Sequence, residues 1–285
     1  MNNEKIIKNI RENLQNYLIT NGIKSLVIGV SGGIDSALSC ALAEPVCKEL
    51  KIPLIGISIP IETNKPDEIS RAKDTGEVFC DKFMELDLTH LYQTEKTFLW
   101  NKIARQVIEN DLSNTQEKVA NGNLKARDRM RLLYFVAGIT GGMVLTNDNK
   151  TELMLGFWTL HGDVGDYGMI QNLWKTEIYE LAKYFCINFC HHQNPEIWNK
   201  AKVLESCIEA IPTDGLGITN SDLDQLGAPT YAEVDHILQI WIEPGNPAEA
   251  LALKDHPVVQ RHIKSQFKRN NPYNISREDL FKDTI

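Results

Sequence analysis

The chain has 285 residues, 42% hydrophobic and 24% charged, with 18 Gly and 11 Pro; this composition excludes disordered, collagen-like and low-complexity classes and allows a large buried core. A formal net charge of −8 argues against nucleic acid as a main partner, since phosphate backbones call for a basic surface, and leaves room for a local basic pocket around a small phosphorylated ligand. No apolar run approaches the ~20 residues that span a bilayer, and the polar N-terminus lacks the apolar core of a signal peptide, so the expected location is the cytoplasm, away from membranes.

The first predicted element is an amphipathic helix, Glu4–Thr20, with Ile6, Ile7, Ile10, Leu14, Tyr17 and Leu18 on one face and Gly22 as its stop. Leu26–Val30 is a continuous β-prone run of the kind buried in parallel sheets. A Ser-Gly-Gly turn follows, then a helix from about Ser36 to Leu50. Leu54–Ile59 reads as a second strand, Asp67–Phe83 as a helix, and Phe83–Leu88 as a third strand. Leu124–Ile139 reads as a long helix and Met143–Thr146 as a short fourth strand. This alternation predicts an α/β fold, a doubly wound parallel sheet with helices on both faces and ligands at the carboxyl ends of the strands. After about Phe157 the composition becomes loop-rich, apart from a helix near Lys175–Phe185, and from about residue 190 the C-terminal part is expected to be largely irregular. Ala210–Thr230 reads as a long loop of the kind that often serves as a lid or binding loop. With no internal repeat and no linker, residues 1–285 read as a single domain.

Six cysteines in a cytosolic chain of this length do not read as a disulfide framework. Cys186, Cys190, His191 and His192 form a cluster with metal-ligand chemistry, but no second ligand pair stands at finger-like spacing. Cys186 and Cys190 also fall i, i+4 on an apolar helix, where buried thiols are common; burial is the simpler reading, and zinc stays open.

The most informative stretch is Gly29–Ser36, GVSGGIDS, between a strand and a helix. Gly32 and Gly33 remove side chains where the backbone must approach a ligand, and the N–H groups that open the helix form an anion site. Ser31 and Ser36 add hydroxyls; Asp35 belongs in such a site when a divalent cation joins it to phosphates. A capped strand–helix turn needs only one of these glycines, so the pair favours phosphate binding. No Gly-Lys-Ser/Thr follows, which separates the loop from the P-loop of kinase-type NTPases. Downstream, Gly122–Leu133 (GNLKARDRMRLL) sets Arg127, Arg129 and Arg131 on an otherwise apolar helix, a pattern that a solvated face alone would explain. After the fourth strand come Glu152, Asp163, Asp166 and Lys175 around a Gly-rich loop with Phe157, Trp158 and Tyr167; this is either a metal and phosphate site or a polar surface loop.

The SGGIDS loop resembles the pyrophosphate loop of the ATP pyrophosphatases that adenylate a carbonyl or carboxyl group. All three blocks in order, followed by Pro212-Thr213, resemble the ammonia-dependent NAD synthetases over about Ile28–Tyr231. The resemblance implies the adenine nucleotide alpha hydrolase-like fold and a two-step ligase. The nicotinate carboxylate of deamido-NAD attacks the α-phosphate of ATP and releases pyrophosphate; ammonia then displaces AMP. It further implies that Gly29, Val30, Ser31, Gly32, Gly33, Ile34, Asp35, Ser36, Asn147, Lys175 and Thr213 bind ATP, and that Asp35 and Glu152 hold Mg²⁺. Arg127, Leu160, Asp166, Phe267 and Lys268 are expected along deamido-NAD. Asp163 is the expected proton acceptor toward ammonia, with Lys175 as the second catalytic group. A homodimer is implied, with the N-terminal helix and the 124–139 helix as candidate contacts, and no glutaminase domain is expected. The sequence departs from the family pattern at Leu160 and Phe267, where lysine and histidine are usual, at Asn147 in place of threonine, and in a GDVGD loop one residue short. Leu160 and Phe267 fall on the expected dinucleotide side, so a related adenylating amidoligase with a different carboxylate substrate is the alternative.

Overall fold

In the computed structural model, which describes residues 2–62, 64–108, 112–190, 192, 194–211, 223, 226–243, 245 and 247–282, short apolar strands alternate with helices. The strands are β1 (Leu26–Gly29), β2 (Leu54–Ser58), β3 (Lys82–Glu85), β4 (Met143–Thr146) and β5 (Tyr167–Gly168). All pair in parallel, in the order β3-β2-β1-β4-β5. The chain therefore steps outward from β1 through β2 to β3, then returns to add β4 and β5 on the other side. That reversal puts the switch point of the sheet between the carboxyl ends of β1 and β4, where open α/β sheets bind ligands.

The helices along the chain are α1 (Asn3–Asn21), α2 (Ile34–Leu50), α3 (Pro66–Phe79) and α4 (Thr89–Leu99), the last running through a π-helical turn at Trp100–Ala104 into the short α5 (Arg105–Val107). Next come α6 (Asn114–Thr140), α7 (Lys150–Leu155), α8 (Lys175–Cys190) and α9 (Pro195–Glu209). The C-terminal part adds α10 (Tyr231–Ile242), α11 (Pro247–Ala252), α12 (Pro257–Lys264), α13 (Gln266–Arg269) and α14 (Arg277–Leu280). The strand pleat sorts the core. Leu26, Ile28 and Leu54 pack with Leu14, Leu42, Phe79, Leu181 and Leu204 from α1, α2, α3, α8 and α9. Val27, Ile55, Ile57 and Val144 turn the other way, onto Met130, Leu133 and Ala137 of α6. A third cluster of Leu155, Trp174, Val234, Leu238, Val258 and Val259 ties α7, α10 and α12 together.

Local chemistry explains where several elements begin and end. α1 stops at Gly22 in the left-handed region (φ 63°), as expected of a helix-terminating glycine. Pro45 sits inside α2 and, having no N–H, leaves the Ala41 carbonyl without its helical donor. Arg11 of α1 replaces it, donating Nη2 to Ala41 O at 3.1 Å and Nε to Leu42 O at 3.3 Å.

The doubly wound parallel sheet is the expected fold class; the differences lie in the details. The predicted Asp67–Phe83 helix ends at Cys80, where the chain turns extended, and the third strand starts at Lys82. α6 begins well before Leu124, because Ser113 and Gln116 close a capping box upstream. β5 is two residues long, too short to leave a periodic signal. The expectation of a loop-rich chain from about residue 190 is corrected: α9 to α14 occupy most of the described residues there. The starts of α9, α10 and α12 are marked by Asn194-Pro195, Thr230 and His256-Pro257, cap and first-turn residues that a composition count reads as loop. Most of the predicted Ala210–Thr230 loop lies outside the described residues, though Leu226 and Ala228 are buried. Cys186 is buried against α9 and Cys190 is exposed, while His191 lies outside the described residues. Among the described residues no helix is long and apolar enough to cross a membrane.

Candidate active site

The loops after β1 and β4 are joined at the switch point: Asn147 Nδ2 donates to the Gly29 carbonyl at 2.9 Å. Its Oδ1 is buried with no partner among the described residues. After Gly29 the chain makes a turn that only glycine permits at position 32. Gly32 has φ +79°, and a Cβ there would stand 2.3 Å from the Glu68 carbonyl and 3.0 Å from the Ala72 nitrogen, both on α3. Arg71 Nε donates to the Gly32 carbonyl at 3.1 Å and clamps the turn from the same helix. Gly33 is the N-cap of α2, and no side chain caps it, so the N–H groups opening this helix are left for a ligand. Ser36 Oγ donates to Gly33 O at 3.0 Å and lies 3.2 Å from Ser31 Oγ, which shapes the loop. The Val30 and Ile34 side chains are buried in the main core, and the Val30 N–H donates to Ile57 O at 2.9 Å. Those two positions serve the core with their side chains, so only main-chain atoms of this pair face the loop.

Opposite the loop stands a buried charge cluster. Lys175 opens α8 and is 3% exposed. Its Nζ donates to Asp35 Oδ2 at 2.5 Å and Glu152 Oε1 at 3.3 Å, and lies 5.4 Å from the centre of the Tyr231 ring. Burial is the largest influence and opposes its charge; Asp35 and Glu152 outweigh it, so the ammonium stays protonated well above the ordinary lysine range. Asn149 organises both carboxylates. Its Nδ2 donates to Asp35 Oδ1 at 2.8 Å, and it forms a capping box with Glu152 at the start of α7. The D-N-x-x-E spacing is thus a helix cap that also aims a carboxylate into the site.

Two carboxylates converging on one point offer the hard oxygen donors that suit a divalent cation. Among the described residues no group of three or more metal-ligating side chains is present. A Mg²⁺ site fits only the mode in which one or two carboxylates and substrate phosphates share the ion.

The residues toward the acceptor side divide into those the fold brings to the site and those it employs elsewhere. Asp163 accepts the Thr159 N–H at 2.5 Å. Burial raises its pKa, opposed by that hydrogen bond, Arg129 and Lys268. Arg129 is held by Ile59 O at 3.0 Å and Asn64 Oδ1 at 2.9 Å, so the middle arginine of the block faces this aspartate. Arg127 donates to the Leu160 carbonyl at 3.2 Å, which ties α6 to the loop after α7 through main chain, whatever side chain position 160 carries. Lys125, the lysine of the same block, is buried on Glu62 at 3.2 Å. Lys268 donates to the carbonyls of Gly156 (2.7 Å) and Trp158, anchoring the loop after α7; burial and then Arg261 lower its pKa.

Asp166 Oδ2 accepts the Val144 N–H at 2.9 Å and its Oδ1 the Tyr134 hydroxyl at 2.7 Å, so it fastens β4 to β5 and α6. Phe267 stands 62% exposed, and Thr213 lies outside the described residues. Asp148, which the motif reading passed over, is buried at the end of β4 and accepts the Thr146 hydroxyl at 3.2 Å. Burial, then Glu152 and Asp163, push its pKa well above the carboxylate range. Its signal in the sequence was a second acid in T-N-D-N-K-T-E, between the strand and Glu152.

The family model for NAD synthase matches residues 6–272. The NH(3)-dependent NAD(+) synthetase of Thermoplasma acidophilum is 32% identical over 260 residues, covering 89% of this chain and 91% of the relative. Among solved structures, the chain overlays NMN synthetase from Francisella tularensis with a TM-score of 0.72 at 23% identity, covering 97% of this chain and 98% of the other. It also overlays the NH3-dependent NAD synthetase from Campylobacter jejuni with a TM-score of 0.66 at 23% identity, covering 97% and 100%. At those identities the structural likeness speaks for the fold alone. The sequence matches span nearly the whole chain, including the glycine turn, the capping box and the buried lysine; the chain belongs to the NAD synthase family.

Proposed function

We propose that this chain makes NAD from deamido-NAD, ATP and ammonia, through an adenylate. The observation that carries the reading is the uncapped start of α2 facing a buried lysine held between two carboxylates. ATP places its phosphates over the N–H groups of α2, beside Ser31 and Gly33. Lys175 supplies a fixed positive charge for the pyrophosphate that leaves when a carboxylate oxygen of the nicotinate attacks the α-phosphorus. Asp35 and Glu152 would hold Mg²⁺, which would add to the neutralisation of the phosphate charge. A carboxylate is a poor electrophile, and adenylation gives it a good leaving group. Ammonia nitrogen then adds to the acyl carbon, the bond to the AMP oxygen breaks, and a proton passes from nitrogen to Asp163. The raised pKa of Asp163 suits it to that acceptance. Arg127 and Lys268 support the acceptor side by holding the loop after α7.

A second copy of this chain is the proposed cover for the outer face of α4, α5 and α6, where Leu91, Phe98, Val107, Phe135 and Ile139 are exposed. α1 is the poorer candidate because Ile7, Leu14 and Leu18 are already buried within the chain. Cytoplasmic location belongs to the same reading. The test is an assay with purified protein, Mg-ATP, ammonium and deamido-NAD that reads NAD and AMP separately. Equal amounts of both support the reaction. Pyrophosphate release with another carboxylate, and no NAD, refutes deamido-NAD as acceptor.

A further inference from the structure

Two thiols that the proposed reaction leaves unused meet on the helices that cradle the phosphate loop. Cys40 Sγ and Cys80 Sγ are 4.0 Å apart. Cys40 is buried in α2, one turn beyond Ser36, and Cys80 is the half-buried C-cap of α3. Gly56 of β2 leaves the opening in which the Cys80 thiol sits: a Cβ at position 56 would stand 2.6 Å from Cys80 Sγ. α3 also carries Arg71, bonded to the Gly32 carbonyl at 3.1 Å, and Glu68, whose carbonyl packs on Gly32. The two thiols therefore join the same pair of helices that shape the turn of the loop.

We propose that Cys40 and Cys80 form a reversible, peroxide-driven disulfide that alters the phosphate loop through α2 and α3. Cys80, the less buried of the two residues, attacks hydrogen peroxide as its thiolate; the O–O bond breaks, hydroxide leaves and a sulfenic acid forms on Cys80. Cys40 then displaces the sulfenic oxygen as water, giving up its own proton. The two thiols lose two electrons and one peroxide becomes two waters. A dithiol reverses the exchange. Closing the sulfurs to about 2.05 Å draws α3 toward α2, and close-packed interiors pass such a shift on to their neighbours. The contact with Cys80, then burial, raise the pKa of Cys40 and keep it a thiol, which leaves Cys80 as the group that meets peroxide first.

The test uses the full chain carrying Cys190→Ser, which removes an exposed thiol. The protein is treated with hydrogen peroxide, mapped by non-reducing peptide mass spectrometry, and titrated with Mg-ATP by calorimetry before oxidation, after it and after dithiothreitol. The expected result is a Cys40–Cys80 linked peptide and ATP binding about tenfold weaker or more, restored by dithiothreitol. With Cys80→Ser added, ATP affinity is expected to be indifferent to peroxide. Oxidation of Cys80 alone with Cys40 left free, a link to Cys47 or Cys207, a link that leaves ATP affinity unchanged, or no reaction of the folded protein would each overturn the proposal. ATP titration needs neither acceptor nor ammonia, and the peptide map needs no ligand, so failure of the proposed synthesis is distinguishable from failure here.

Discussion

Replacing Lys175 by methionine removes the positive charge from between Asp35 and Glu152 while keeping most of the apolar stem. At the observed separations of 2.5 and 3.3 Å, each attraction is worth about 5 to 7 kcal/mol at an effective dielectric constant near 20. The desolvation of three charged groups offsets much of that, so the net loss on breaking the cluster is about 3 to 5 kcal/mol, toward the lower end because Asp35 and Glu152 keep 16% and 21% of their side-chain surface. For a chain of this size that lowers Tm by roughly 6–10 °C. The two carboxylates, no longer bridged by the ammonium, then offer their oxygens to a divalent cation. Millimolar Mg²⁺ is expected to raise the Tm of Lys175→Met clearly and that of wild type little, because in wild type the ammonium competes for the same oxygens. Differential scanning calorimetry at pH 7.5, with and without Mg²⁺, reads both effects. A variant with wild-type Tm, or with no greater response to Mg²⁺ than wild type, refutes the electrostatic reading of the cluster.

Gly32→Ala places a non-glycine residue at φ +79° against the α3 backbone, a strain of about 1–3 kcal/mol before any overlap, and is expected to weaken ATP binding at least tenfold in calorimetry; unchanged affinity would show that the turn tolerates a side chain. Asp163→Asn is expected to keep ATP binding and lose amide formation, and wild-type turnover would remove Asp163 from the proton transfer. Asp166→Ala deletes the acceptor for the Val144 N–H and the Tyr134 hydroxyl, costing about 1–3 kcal/mol of stability with little change in KM for deamido-NAD; a large KM increase at unchanged Tm would return Asp166 to the ligand. Asp128 is buried between Arg131 and Glu95, and burial, then Glu95, push its carboxyl up to about 6. Its folded pKa exceeds the unfolded value, so its contribution is fully present below about pH 4 and is lost as pH rises through 6. Asp128→Asn is therefore expected to gain up to roughly 3 kcal/mol over wild type at pH 8 and none at pH 4; denaturant curves showing the same difference at both would refute this.

Local patterns carried much of this molecule. Leu26–Gly29 and Met143–Thr146 are short, β-prone apolar runs next to glycine, which favours buried strands, and Gly22 is a helix stop; each is decided by neighbours in sequence. The glycine turn after β1 was legible for the same reason, since a glycine pair between a strand and a helix states its backbone chemistry locally. Capping boxes at Ser113 and Asn149 were equally local, yet a composition view reads them as loop. Tertiary structure decided what each charged residue does. Lys175, Asp35 and Glu152 come from three separate segments, and only the return from β3 to β4 brings them within hydrogen-bonding distance. Asp163 and Asp166 look alike in sequence, three residues apart in one Gly-rich loop. Asp163 ends beside Arg129, while Asp166 is taken up by the β4 backbone and Tyr134. The sequence by itself determined most of the sheet elements and the glycine turn after β1, because backbone propensity and hydrophobic period act over a few residues. The pairing of charges was left to the fold, because electrostatics depends on distance through space and on burial, neither of which is written in the order of residues.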